Sequence, residues 1–304
     1  MDPARLWGIA CLLITATGWG INWPAIKFLL PVWPALFARG VAGVISALLL
    51  AALAYGRGES LRVPAGAWPG LVLMAFTSVF AWMGFSTLSV NWISVGEAAL
   101  LVYTMPIWAM LLAWPLRGER PGARAVASLI LALAGVGLLL SGHEGAVGRD
   151  QMLGMLLAVA AAVLFAWGAV APRKPLALPP LAQTAWIVGI GCAPMIVLGL
   201  LFESPDVTAL TGVAAISLAY MTLVPMGLCY LTWFAALKRV PGNVATITML
   251  LVPLIGTLSA AAILGEPFGI REAAALSLTL AGVAIALRGA PPAGKTPAGG
   301  GTIA

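Results

Sequence analysis

The chain has 304 residues, of which 62% are hydrophobic and only 9% charged, with a net charge of +6. Soluble domains carry about 25% charged and 45–50% apolar residues, and so few charges could not cover a water-exposed surface. The composition excludes an ordinary soluble fold and describes an all-α polytopic membrane protein, whose length counts spans rather than soluble domains.

A bilayer core about 30 Å thick needs roughly 20 helical residues. Continuous apolar runs predict ten spans, at 6–29, 34–54, 68–89, 94–114, 123–140, 152–171, 181–201, 212–236, 243–264 and 271–287. The runs do not alternate as barrel strands would, and backbone groups in lipid must be satisfied within the segment, so helices are expected. The first run exceeds a signal-peptide core and lacks a small-residue cleavage site, so it reads as a span that stays attached. Pro24, Pro106, Pro194, Pro225 and Pro253 interrupt the runs and are expected to bend them. The tail at 288–304, "RGAPPAGKTPAGGGTIA", has nothing to bury and is expected to be disordered and cytoplasmic.

Lysine and arginine set the orientation. With the N-terminus inside, Arg5, Arg57, Arg62, Arg117, Arg120, Arg124, Arg173, Lys174, Lys238, Arg239, Arg288 and Lys295 all fall on the cytoplasmic side. The other side keeps Lys27, Arg39, Arg149 and Arg271. The positive balance is thus a topology signal and needs no nucleic-acid partner.

The chain also repeats itself. "LRGERPGARAVASLILALAGVGLLL" at 116–140 returns as "ILGEPFGIREAAALSLTLAGVAIAL" at 263–287. A shift of 147 maps Pro106 to Pro253, Gly118-Glu119 to Gly265-Glu266, Arg124 to Arg271, and Ala134-Gly135-Val136 to Ala281-Gly282-Val283. "TGWGIN" at 17–22 resembles "FAWGAV" at 165–170 with a shift of 148. Five spans separate the copies, so the second enters the membrane upside down. Inverted repeats of this kind characterise secondary transporters that alternate access to a mid-membrane site. The expected halves are 6–140 and 152–287.

Ten spans in two halves, each ending Pro–x(11)–Gly-Glu followed by Ala-Gly-Val, resemble the EamA family of the drug/metabolite transporter superfamily. "WGINWPAIK" at 19–27 and "FARG" at 37–40 match its usual opening, and the resemblance covers about residues 6–287. Within it, the Trp-rich first, third and sixth spans look most like YddG-type amino-acid exporters. The resemblance implies inner-membrane export of a broad range of amino acids, including aromatic ones and methionine. Two positions depart from the repeat: Val170 stands opposite Asn22, and Leu250 opposite Tyr103.

Aromatics and small polar groups are the candidate lining. Trp19 and Asn22 share a helix face, as do Trp82 and Ser86. Tyr103 lies one turn before Pro106, and Trp167 matches Trp19. An uncharged aromatic-walled cavity suits a small substrate with a variable apolar side chain, although helix packing accounts for the tryptophans equally well. Trp7, Trp33, Trp68, Trp92 and Trp114, at span ends, read as interfacial belts. Pro106 and Pro253 are the candidate hinges. Glu119 and Glu266 end the fourth and ninth spans; hairpin capping and pairing with Arg124 and Arg271 is the favoured reading over proton binding.

Charged groups away from span ends are nearly absent, with Glu97 and Lys27 the nearest candidates. That favours facilitated diffusion over proton coupling. A multidrug exporter of organic cations coupled to protons is the rival, and Glu97 the acid it would need. A nucleotide-sugar carrier of the same fold would need basic groups for phosphates, and mid-span lysine or arginine is missing. Cys11, Cys192 and Cys229 lie in apolar runs as small hydrophobes, and His143 sits in a polar loop, so neither a metal, a cofactor nor an enzyme is indicated. One chain holds both halves, so a monomer in the bilayer is expected to suffice.

Overall fold

The computed structural model describes residues 3–118, 120, 122–141, 148–171, 176–210, 212–241, 244–245 and 248–289, and their regular structure is entirely helical. The side chains of residues 125, 139, 140 and 286–289 are not described. Glu119, His143, Arg173, Lys174, Lys295 and the tail beyond Gly289 lie outside the described residues.

Ten helical segments follow in chain order: α1 (Pro3–Leu29), α2 (Ala35–Gly56), α3 (Ala65–Ser89), α4 (Val95–Arg117), α5 (Ala123–Leu140), α6 (Arg149–Val170), α7 (Pro180–Phe202), α8 (Gly212–Leu237), α9 (Leu251–Leu264) and α10 (Ile270–Gly289). Each overlaps one of the ten predicted spans. Seven, α1 to α4 and α6 to α8, are long and apolar enough to cross a membrane by length and composition. The 14 residues of α9 reach only about 21 Å, although residues just before it, 244–245 and 248, are also helical.

Cross-helix bonds sort the helix ends into two sets. At one end, carrying Arg57 and Arg117, the Trp186 indole donates to Leu61 O, and Arg117 Nε donates to Val170 O. At the other, Trp33 donates to Asp206 O and Lys27 to Val90 O. The ends so joined fit successive helices running in opposite directions.

Not every proline breaks its helix. Pro24 and Pro194 sit inside the continuous α1 and α7. Pro106 follows a turn at Tyr103–Thr104 that divides α4, and Pro253 follows a turn at Met249–Leu250. Pro225 lies in a π-helical stretch of α8, Val224–Leu228. A longer π stretch in α3, Phe76–Gly84, contains no proline and was not foreseen. The wider turn of a π segment marks local departure from the α ladder, often at functional sites.

Small residues let the helices approach. A Cβ on Gly135 of α5 would stand 2.7 Å from Ala275 O of α10, and one on Gly282 of α10 would stand 2.7 Å from Ser128 O of α5. The 147-residue shift maps Gly135 to Gly282 and Ser128 to Ala275, so the two close approaches are reciprocal.

Carboxylates seal several helix starts. Glu203, just past α7, accepts from Leu36 and Phe37 N–H at the start of α2 (3.1 and 2.9 Å). Glu59, just past α2, accepts from Ala182 N–H at the start of α7 (3.1 Å). The two helices are therefore antiparallel, each capped from beyond the other's end. First-turn N–H groups have no intrahelical acceptor, and negative charge there also suits the helix dipole.

Candidate functional site

Gly118 and Gly265, the glycines of the two repeated Gly-Glu pairs, end α4 and α9 with φ of +74° and +68°. This left-handed cap is open to glycine without a Cβ penalty. It turns the chain back, and in the second copy it delivers Glu266 to the start of α4. There the carboxylate accepts from Val95 N–H (2.9 Å) and Gly96 N–H (3.3 Å). Ser94 Oγ accepts from Glu97 N–H, and Glu97 Oε2 accepts in return from Ser94 N–H, forming a capping box. Arg271 turns to the adjacent Glu272, with Nη2 2.6 Å from Oε1, rather than to Glu266 as the sequence suggested. The Arg124 carbonyl accepts from Ser128 Oγ–H, while the expected side-chain partner Glu119 lies outside the described residues.

The aromatic residues gather around α1. Trp19 Nε1 donates to Pro225 O (2.8 Å), the carbonyl exposed in the π stretch of α8. Its ring meets Tyr230 edge-on at 5.8 Å and lies 6.0 Å from Trp233. Tyr220 Oη donates to Gly18 O (2.8 Å), a second tie between the same two helices. Trp19, Trp23, Trp82 and Tyr103 all belong to one hydrophobic cluster. Trp82, on the α3 π stretch, faces Phe165 of α6 at 6.0 Å, and its indole N–H is buried without a partner. Ser86 is occupied locally by Met83 O, and the half-buried Trp167 lies apart from that cluster. Trp33, read from sequence as an interfacial anchor, is instead buried against Phe37, with ring centroids 5.0 Å apart.

The largest correction concerns charge. The sequence places Arg39 with the basic residues at span ends and leaves no basic group mid-span. In the structure Arg39 lies in α2 and is only 3% exposed. Its Nη1 donates to Asn22 Oδ1 of α1 across a long 3.4 Å. Its Nε–H is buried with no acceptor among the described residues. Tyr230 and Cys192 are the ionisable groups within electrostatic reach, and neither supplies a carboxylate. Holding an arginine charge within a membrane span costs at least about 2.5–3.5 kcal/mol on insertion scales, so such residues mark function more often than packing. The sequence signal was its position, five residues into the predicted 34–54 run.

At the end opposite Arg117, a groove of about 670 Å³ opens between the α1–α2 turn, Asn91-Trp92 and the loop after α7, lined by Glu203 and Asp206. Hydrogen bonds from the Thr208 hydroxyl and backbone N–H hold the exposed Asp206 carboxyl below its usual range. Its negative character favours cations over anions at this mouth.

Known proteins agree with this architecture. A solved structure superposes with a TM-score of 0.59 at 22% identity, covering 94% of this chain and 96% of the other, which bears on fold alone. A Bacillus subtilis protein named uncharacterized transporter YvbV is 27% identical over 271 residues, 88% of this chain and 87% of its own. A Salmonella typhimurium protein named "probable amino-acid metabolite efflux pump" is 28% identical over 287 residues, 91% of this chain and 93% of its own. The EamA-like transporter family matches residues 6–141 and again 152–288. Two matches that together span nearly the whole chain make this protein a multi-pass membrane member of the EamA-like transporter family.

Proposed function

We propose that the protein exports amino acids across a bacterial inner membrane, by alternating access between two inverted five-helix halves, 6–140 and 152–287. The reciprocal approach of Gly135 and Gly282 carries this reading. Exchange of the two contacts is what a two-fold axis in the membrane plane would produce, and such symmetry belongs to transporters whose halves rock about a central site. The crossed caps from Glu203 and Glu59 support it. Relatives named as amino-acid metabolite efflux pumps, from Salmonella typhimurium and Escherichia coli, supply the substrate class.

On this reading Trp19, Asn22, Trp82, Ser86, Tyr103 and Trp167 line the path. The turns before Pro106 and Pro253 are its hinges. Excess lysine and arginine put both termini in the cytoplasm. Transport is facilitative, because Glu97, the acid a proton-coupled cation exporter would use, serves the capping box of α4. One chain carries both halves and works as a monomer in the bilayer.

The test is uptake into proteoliposomes of labelled methionine, phenylalanine, threonine and an organic cation, with and without an imposed pH gradient. Saturable amino-acid flux that ignores the gradient and weakens in Trp82→Ala supports the reading. Flux of the cation alone, or flux that needs the gradient and is lost in Glu97→Gln, moves the proton-coupled drug exporter into its place.

A further inference from the structure

Arg39 is a fully enclosed cation whose neighbours leave part of its donor set unused. A guanidinium carries five N–H groups in a planar fork that matches the two oxygens of a carboxylate. Here Asn22 Oδ1 takes one of them at 3.4 Å, near the limit of a hydrogen bond, and Nε–H has no acceptor. Among the described residues no carboxylate pairs with it. A buried charge left in this condition is costly, and a ligand that brings an anion removes the cost.

The surroundings say what else that ligand holds. Tyr230 lies within electrostatic reach of Arg39 and packs edge-on against Trp19, which in turn lies beside Trp233. Anion site and aromatic wall are thus contiguous through one residue. A solute with a carboxylate at one end and an apolar side chain at the other fits that arrangement. One arginine matches one carboxylate; a diphosphate would call for more positive charge.

Symmetry strengthens the point. Counting from the starts of α2 and α7, Thr184 stands where Arg39 would be repeated, and its hydroxyl donates to Pro180 O in its own helix. Val170 stands opposite Asn22. Neither member of the pair is copied, so the molecule has one such site, on the side of α1 and α2.

We propose that Arg39, supported by Asn22 and Tyr230, binds the carboxylate of the transported solute. This rests on the reading of the protein as an amino-acid exporter and names the group it recognises. At 3% exposure Arg39 is reached only when the surrounding helices part, so the site belongs to the transport cycle rather than to the surface.

Two measurements test it. In detergent, the unfolding temperature of the wild-type protein is followed by tryptophan fluorescence with methionine, methioninamide or 4-methyl-2-oxopentanoate, a carboxylate without an amine. In proteoliposomes, methionine uptake is compared in wild type, Arg39→Lys and Arg39→Gln. Methionine should stabilise the protein at concentrations at least ten-fold below methioninamide. Arg39→Gln should raise the methionine KM at least ten-fold, with Arg39→Lys recovering part of it. If Arg39→Gln does not yield folded protein, Tyr230→Phe should still raise the methionine KM several-fold while leaving methioninamide unchanged. Equal response to methionine and its amide, or an unchanged KM in Arg39→Gln, overturns the proposal while leaving amino-acid export standing. Stabilisation by the oxo acid with no amino-acid flux overturns the exporter reading and keeps the carboxylate site. No response to any carboxylate overturns both.

Discussion

Replacing Glu266 by alanine isolates one claim about how the α4 start is held. The native carboxylate satisfies Val95 and Gly96 N–H, at 2.9 and 3.3 Å. Two charge-assisted bonds, each worth about 1.5–3 kcal/mol, are lost on truncation. A cavity of about 20 Å³ beside Glu266, Glu97 and Thr257 has room for one water, which recovers part of that. The net cost should be about 2–3 kcal/mol, above the roughly 0.5–2 kcal/mol for losing an ordinary N-cap because two N–H groups lose a charged acceptor. Scaling from domains of 150–250 residues, this lowers Tm by roughly 4–12 °C, read by tryptophan fluorescence on purified protein in detergent. Arg271→Ala serves as the comparison. Its ion pair with Glu272 is solvent-exposed on the arginine side, and such pairs contribute about 0–1 kcal/mol. The sequence-based pairing of Glu266 with Arg271 requires the two variants to fall together. If Glu266→Ala melts within 1 °C of wild type, or Arg271→Ala melts as low as Glu266→Ala, the capping account is wrong.

Three further outcomes follow from packing and capping. Gly282→Ala drives a methyl to 2.7 Å from Ser128 O and 3.2 Å from Ala132 N, and should cost about 1–3 kcal/mol, whereas Gly137→Ala, with nothing within 4 Å, should be neutral or slightly stabilising; thermal melts of both decide it. Glu203→Ala and Glu59→Ala act at opposite ends of the α2–α7 pair, some 33 Å apart by helix length, so their costs in the double variant should add within about 0.5 kcal/mol. Trp19→Phe keeps the ring but removes the bond to Pro225 O, and should lower stability by about 1 kcal/mol in the same melting assay.

The ten apolar runs foretold ten helices because span length and hydropathy are local properties. Turns before Pro106 and Pro253 were legible for the same reason: a proline constrains its own helix. The reach of Glu266 was not, since the N–H groups that donate to it lie 171 and 170 residues away and nothing in the Gly-Glu motif names them. The glycine of that motif now has its physical reason in a positive φ, which the repeated spelling hinted at without explaining. Trp33 and Arg39 failed for one shared cause. Both stand close to a span end in sequence, where belts and snorkelling cations are the default. Only the packing of α7 and α8 around α1 and α2 encloses them.

Symmetric and asymmetric features divide along functional lines. The close approaches of α5 and α10, the crossed caps of α2 and α7 and the left-handed glycines after α4 and α9 all occur in matched pairs. On the proposed inverted arrangement, exchanging the conformations of the two halves reuses the same set of contacts. The inward- and outward-facing states then differ little in energy, which a facilitator needs if neither is to trap the solute. Features that meet the solute have no reason to obey the axis, because the solute itself has none. The proposed lining residues Asn22 and Tyr103 stand opposite Val170 and Leu250 in the repeat, and Arg39, counted from the helix starts, opposite Thr184. On the proposed reading the repeated contacts form the frame that moves while the polar centre differs between the halves, so the unpaired residues, more than the repeated ones, are where specificity should be sought.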